Sequence, residues 1–280
     1  MFNLTVRGHD ITGKGTGNGT PHELAHAIHN LGIKNVQLSL GMSFPDMQSN
    51  ASSLNPGMGT LIKNEFAKED VQIAVLSCYI NMIHPDLSER EILLDKFESY
   101  IRHAKYFGAS MVATETGCVD AEIHYTEENY TDAAFDSVCE TVRRLVHCGE
   151  KHGTIVAIEP GINHPLYSIA RTKELIDAID SDYLGIIIDA TNLVTNENYQ
   201  EQVQIVREAL EQFGDKIVAF HVKDFVVNPD GNLIPVNFGE GLMDTHGLLA
   251  LIAAHKPYIN IVLEETKDEA IAHARREIAR

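Results

Sequence analysis

The chain of 280 residues has an apolar content of 44%, enough to bury a single large core. Its 40 Asp and Glu against 22 Lys and Arg leave a formal charge of −18, which opposes approach to a phosphate backbone and argues against a nucleic-acid surface. No apolar run comes near the roughly 20 residues that span a bilayer, and Cys78, Cys118, Cys139 and Cys148 show no CxxC spacing, so reduced cysteines and no membrane partner are expected.

In chain order, Asn3 to Arg7 reads directly as a strand without a charged leader before it, and a cytoplasmic protein is the expectation. The segment Gly13-Lys-Gly-Thr-Gly-Asn-Gly19 follows; it lacks the Gly-x-x-x-x-Gly-Lys-Ser/Thr order of a phosphate cradle and reads as a lid loop. Thr20-Pro21-His22-Glu23 supplies an N-cap, a proline at the first helical position and an acidic third position. Further strands are expected at 34–40, 71–80, 109–115, 154–159, 184–189, 216–222 and 259–264, each followed by a helical pattern. Ser88-Glu89-Arg90-Glu91 reads as a capping box, and Phe135, Val138, Val142, Leu145 and Val146 form a helical stripe that ends at Gly153. Strand and helix alternating eight times predicts one domain over residues 1–280, a closed α/β barrel of the (β/α)8 type.

Four of the expected strands end on a metal-binding side chain: Glu159, Asp189, His221 and Glu264. The C-terminal ends of barrel strands open onto one face, so these four converge there, and an unpaired buried carboxylate is too costly to recur by accident. Three carboxylates and one imidazole suit a hard divalent cation better than zinc. On the same rim, His84 and Glu115 close strands three and four, His164 follows the Pro160-Gly161 turn, and Lys223 lies two residues past His221; these, with Asn192, are expected to contact substrate. Asp224 is expected to orient His221 or a loop, and Glu240, in Gly239-Glu-Gly241, to stand beside the ion in a tight turn or at a phosphate. His9 and Asp10 after the first strand are weaker candidates, while Glu265 is expected to point away from the ligand face.

Ile158-Glu159-Pro160, Asp189-Ala-Thr-Asn192, Phe220-His-Val-Lys-Asp224 and Leu263-Glu264-Glu265 resemble motifs of the xylose isomerase-like TIM barrel superfamily of sugar and sugar-phosphate isomerases, ketose 3-epimerases and, distantly, endonuclease IV. The resemblance implies one Mn²⁺, Mg²⁺ or Co²⁺ ion on Glu159, Asp189, His221 and Glu264, a carbohydrate substrate, and a homodimer or homotetramer. It also implies that Glu159 and Glu264 trade a proton across a metal-stabilised enediolate. Where ketose 3-epimerases of this group carry a sugar-contacting histidine and a following arginine, this chain has Asn192 and only Lys223, which leaves phosphorylated sugars and a polyol or keto-inositol dehydratase open. An endonuclease IV-like phosphodiesterase would need further metal-binding histidines, for which only Asp244-Thr-His246 offers a pair, and a non-catalytic sugar-binding barrel would have no use for paired glutamates.

Overall fold

The computed structural model describes residues 2–11, 19–267 and 269–278. Of the glycine-rich loop expected as a lid, residues 13–18 lie outside the described residues.

Eight parallel strands close into a barrel: β1 (Asn3–Arg7), β2 (Asn35–Ser39), β3 (Gln72–Ser77), β4 (Met111–Glu115), β5 (Ile155–Glu159), β6 (Leu184–Asp189), β7 (Ile217–Val222) and, after a two-stranded insertion, β10 (Asn260–Leu263). The insertion is an antiparallel hairpin, β8 (Asp224–Val227) and β9 (Leu233–Val236). Outside the barrel run α1 (Pro21–Asn30), the one-turn α2 (Leu40–Ser43), α3 (Pro56–Lys68), α4 (Leu87–Phe107), α5 (Asp132–His152), α6 (Ile169–Ile179), α7 (Gln202–Phe213), α8 (Thr245–His255) and α9 (Glu269–Ile278).

Two apolar layers hold this arrangement. Val75, Ala113, Ala157, Ile187 and Ala219, small or branched, fill the barrel interior with the longer Met111, while the larger layer lies between strands and helices. The α5 stripe of Phe135, Val138, Val142, Leu145 and Val146 is buried there, and α5 stops at Gly153 with a left-handed φ of 69°, as its sequence requires. β-branched residues dominate strands covered on both faces, as in Ile186-Ile187-Ile188, each 0% exposed.

Local punctuation matches the sequence at Thr20, whose hydroxyl accepts from Glu23 N while the Glu23 carboxylate accepts from Thr20 N at 2.8 Å. It differs at α4. Asp86, not Ser88, is the N-cap, accepting from Ser88 N at 2.8 Å and Glu89 N at 3.2 Å, because a carboxylate one residue before the helix answers two free amides and the helix dipole together. The third strand ends at Ser77 rather than residue 80, so His84 stands well out in the loop that leads to α4. Among the described residues no helix is long and apolar enough to cross a membrane, and the four cysteines stand free.

Candidate metal centre

Register sets the site. Across β6 and β7, Asp189 faces His221; across β4 and β5, Glu115 faces Glu159; and Glu264, just past β10, donates its backbone N–H to Val222 O at 3.1 Å. Alternation along each strand turns these side chains to the barrel axis, at the end where the strands finish. Glu159, Asp189, His221 and Glu264 are all buried and offer ligand atoms that lie within 4.8 Å of one another.

The donor atoms fit a cation. Asp189 uses Oδ1 to accept from Thr191 N, while its buried Oδ2 has no hydrogen-bond partner; it lies 3.0 Å from the Lys223 ammonium without hydrogen-bond geometry. His221 directs Nε2 to Gln37 Oε1 at 2.9 Å, which leaves Nδ1 facing the centre. That nitrogen is 2.8 Å from Glu264 Oε2 and 3.1 Å from Glu159 Oε2 but has hydrogen-bond geometry to neither. Two orphaned polar atoms and two carboxylate oxygens around one point are what a divalent ion with oxygen and imidazole ligands would satisfy. The electrostatics agree. Burial lowers the His221 imidazole, but the Glu159 and Glu264 carboxylates override it and lift it to about 10; burial, with Glu264 and Glu159 against the counter-effect of Lys223, raises Asp189 to about 6. The cluster calls for positive charge at its centre.

Basic groups surround the carboxylates. Glu264 Oε1 accepts from Lys223 Nζ at 2.9 Å and pairs with Arg7 at 2.9 Å; despite burial, Lys223, His221 and Arg7 hold this carboxyl well below the usual carboxylate range. Glu159 Oε1 accepts from the neutral Asn192 amide at 2.7 Å, and Asn192 Oδ1 accepts in turn from Lys223 Nζ at 2.6 Å. Lys223 thus joins both glutamates. Arg7 is fixed by Asp10 through Nε at 2.7 Å and a second nitrogen at 2.9 Å, and it also reaches Glu265 at 2.7 Å. Glu265 therefore turns away from the centre, as expected, though at a φ of 54° rather than by strand alternation.

A cavity of about 470 Å³ opens beside this cluster, lined by Glu115, His164, Asn192 and Lys223 among others, and roofed by hairpin residues from Gly231 to Pro235. His164 is 6% exposed, with Nδ1 on Gly117 O at 2.8 Å and Nε2 3.8 Å from Glu115. Burial lowers that imidazole, but Glu115 raises it overall.

Two expected residues, His84 and Glu240, stand apart from the cavity lining. His84 is not in the cavity wall; Nδ1 accepts from Asp86 N at the start of α4, because the loop after β3 carries it beyond the rim. Glu240 is exposed and accepts from Asn237 at 3.2 Å, pointing to solvent rather than to the ligands. Asp224 takes the second of the two roles expected for it and orients a loop: its carboxylate accepts from the N–H groups of Phe225, Gly239, Gly241 and Met243. Asp244 caps α8 by accepting from Gly247 N at 2.8 Å, and among the described residues neither it nor His246 belongs to a group of three possible metal ligands. One other trio, Cys118, Asp120 and His124, also has ligand atoms within 4.8 Å, but its members satisfy one another: the thiol donates to His124 O at 3.7 Å and His124 Nε2 lies 3.4 Å from Asp120. Sequence reasoning missed Arg7 and Gln37. The signal for Arg7 was its place at the end of an apolar strand; for Gln37 it was a polar side chain alternating inward along Asn35-Val-Gln-Leu-Ser39.

A family model described as xylose isomerase-like TIM barrel matches residues 22–280. No curated protein matches the chain. Similar solved structures include a xylose isomerase-like TIM barrel protein from Mycobacterium smegmatis in complex with magnesium, with TM-score 0.74 at 16% identity, covering 99% of this chain and 95% of that one. The IOLI protein with a binding zinc atom superposes with TM-score 0.73 at 14% identity, covering 99% of this chain and 96% of the other. A 3-keto-D-glucoside 4-epimerase from E. coli superposes with TM-score 0.72 at 16% identity, over 100% of this chain and 98% of its own. At such identities these structures share a fold.

Proposed function

The chain belongs to the xylose isomerase-like TIM barrel family, and on that premise we propose that it is a divalent-metal-dependent isomerase or epimerase of a sugar or sugar phosphate, with Glu159 and Glu264 exchanging the proton. The observation that carries this reading is the convergence of Glu159, Asp189, His221 and Glu264 beside a cavity of mixed lining, with Asp189 Oδ2 and His221 Nδ1 left without hydrogen-bond partners. The donor set favours Mn²⁺, Mg²⁺ or Co²⁺ over zinc; the magnesium and zinc of the similar structures belong to those proteins. A cation held there supplies Lewis-acid polarisation of a substrate carbonyl.

The chain's own residues do the rest. Glu159 and Glu264 are separate carboxylates on non-adjacent strands, so one takes the proton from the carbon beside the carbonyl and the other returns it, to the opposite face or to the neighbouring carbon. The Lys223 ammonium, already bridging Asn192 and Glu264, faces the cavity and meets charge that develops on a substrate oxygen. His164 and the hairpin wall limit water at the reacting carbon.

The test is a screen of ketoses, aldoses and their phosphates in D₂O with Mn²⁺, following deuterium incorporation by NMR. Glu159→Gln and Glu264→Gln should each lower turnover by about 10²–10⁴-fold, since an amide can coordinate but cannot carry the proton. Wild-type turnover in both variants would rule out the two-glutamate exchange.

A further inference from the structure

Resting on the sugar reading above, the geometry points to an uncharged substrate: a free polyhydroxylated sugar or polyol rather than a sugar phosphate. Two independent observations carry it. The first concerns the place where a barrel of this kind ordinarily receives a phosphate, the loops after the seventh and eighth barrel strands. Here the loop after β7 folds its amides inward onto the chain's own anion. Gly239 N and Gly241 N donate to Asp224 Oδ2 at 2.9 and 3.0 Å, and Met243 N donates to Oδ1 at 2.9 Å. Asp224 is 1% exposed, so a second anion could enter only by expelling it. Nor is there slack: a Cβ at Gly241 would meet Asp224 Oδ1 and Phe225 O, each at 2.3 Å. An amide nest is an anion site, and this one is already filled.

The second observation is the character of the cavity. Among the described residues its ionisable side chains are Glu115, His164 and Lys223. The Lys223 charge is shared by Asp189 at 3.0 Å, Glu264 at 2.9 Å and the reacting oxygen it meets, His164 stands 3.8 Å from Glu115, and Glu115 would repel an anion, so no cation is left over for a terminal phosphate. The rest of the polar lining is neutral and includes Asn163, Asn196 and Asn232, beside Asn192, whose amide already joins Glu159 to Lys223. Carboxamides offer donors and acceptors in equal measure, which matches hydroxyl groups; a phosphate dianion asks for donors and positive charge. A net charge of −18 adds a long-range penalty for a dianion.

The experiment compares each monosaccharide that exchanges its proton with its own terminal phosphate, using the Mn²⁺-loaded full chain and deuterium incorporation from D₂O, with inorganic phosphate titrated as a competitor. The free sugar should win by at least about tenfold in kcat/KM, a ratio that a few missing polar contacts can set, and millimolar inorganic phosphate should leave its turnover unchanged. A phosphorylated sugar that exchanges faster than its free parent, or competitive inhibition by phosphate, overturns this inference while leaving the isomerase reading in place. Exchange with neither class overturns the isomerase reading and this inference with it. As a readout apart from turnover, isothermal titration of inorganic phosphate into the protein should show no binding, and binding that Asp224→Asn strengthens would place a phosphate in the nest and refute the inference.

Discussion

Gln37 decides which nitrogen His221 presents to the centre. Its carbonyl oxygen, 2.9 Å from Nε2, favours a proton on that nitrogen and leaves Nδ1 for a metal, the orienting role that hydrogen-bonded partners of ligand imidazoles commonly play. Gln37→Leu should therefore weaken Mn²⁺ binding to the apoprotein by about 10–100-fold with little change in fold. Titration calorimetry measures this directly, and an unchanged affinity would remove Gln37 from the metal centre. His9 makes a different residue-scale case. It is 9% exposed, edge-on to Tyr79 at 6.5 Å, and neither ring nitrogen has a hydrogen-bond partner. Burial, and then the Arg7 charge, hold its imidazole down to about 4 from 6.5. Because the folded value is the lower one, the unfolded chain takes the proton first: the contribution to stability is complete above pH 6.5 and is lost as pH falls toward 4, by up to about 3 kcal/mol. Urea unfolding in EDTA at pH 7.5 and pH 5 should show a smaller loss in His9→Phe than in the parent. Equal losses would mean that the parent's His9 does not stay neutral.

At the scale of elements, the hairpin of β8 and β9 and the turn after it owe their position to one carboxylate. Asp224 begins β8 and takes amides from 239, 241 and 243, so it ties both ends of the insertion to the barrel rim. Gly239 sits at a φ of 83° and Gly241 has no room for a Cβ, which is why Gly239-Glu-Gly241 stands there. Asp224→Ala should cost at least about 2 kcal/mol, since four backbone amides, two of them buried and two partly buried, lose a carboxylate acceptor at once. It should also make residues 228–243 the first site of limited proteolysis. Nicking elsewhere, with the parent's stability, would show that the loop is held by something other than Asp224.

For the whole molecule, the seam that closes the barrel also positions the centre. β1 and β10 pair along Asn3–Asn260 to Val6–Leu263, and immediately above that seam Asp10 accepts from Arg7 and from Glu265 N while Arg7 reaches Glu264. The first strand thus orients a candidate ligand just past the last. A cation that binds only this assembled state stabilises it by mass action, by about 2.7 kcal/mol at a hundred times its dissociation constant, or about 5–10 °C for a chain of this size. Thermal unfolding with Mn²⁺ against EDTA should show this shift in the parent and lose it in Asp189→Ala. A shift that persists in Asp189→Ala would locate the ion elsewhere.

The eight-strand barrel and the convergence of four candidate ligands were legible because both rest on short-range rules. Strand length, β-branched content and the spacing of one unit per strand and helix are local, and Glu159, Asp189, His221 and Glu264 each end such a run. The hairpin left a fainter trace, Asn228-Pro-Asp-Gly231 between two apolar stretches. What local rules could not supply was the direction of side chains beyond the strand ends. His84 and Glu240 face away because their loops follow hydrogen bonds made elsewhere, to Asp86 and to Asp224. Arg7 and Gln37 reach the centre across 257 and 184 residues, to Glu264 and His221. Periodicity along a strand determines which residues face the axis; only closure of the barrel decides which of those inward groups, distant in sequence, stand within bonding distance of one another.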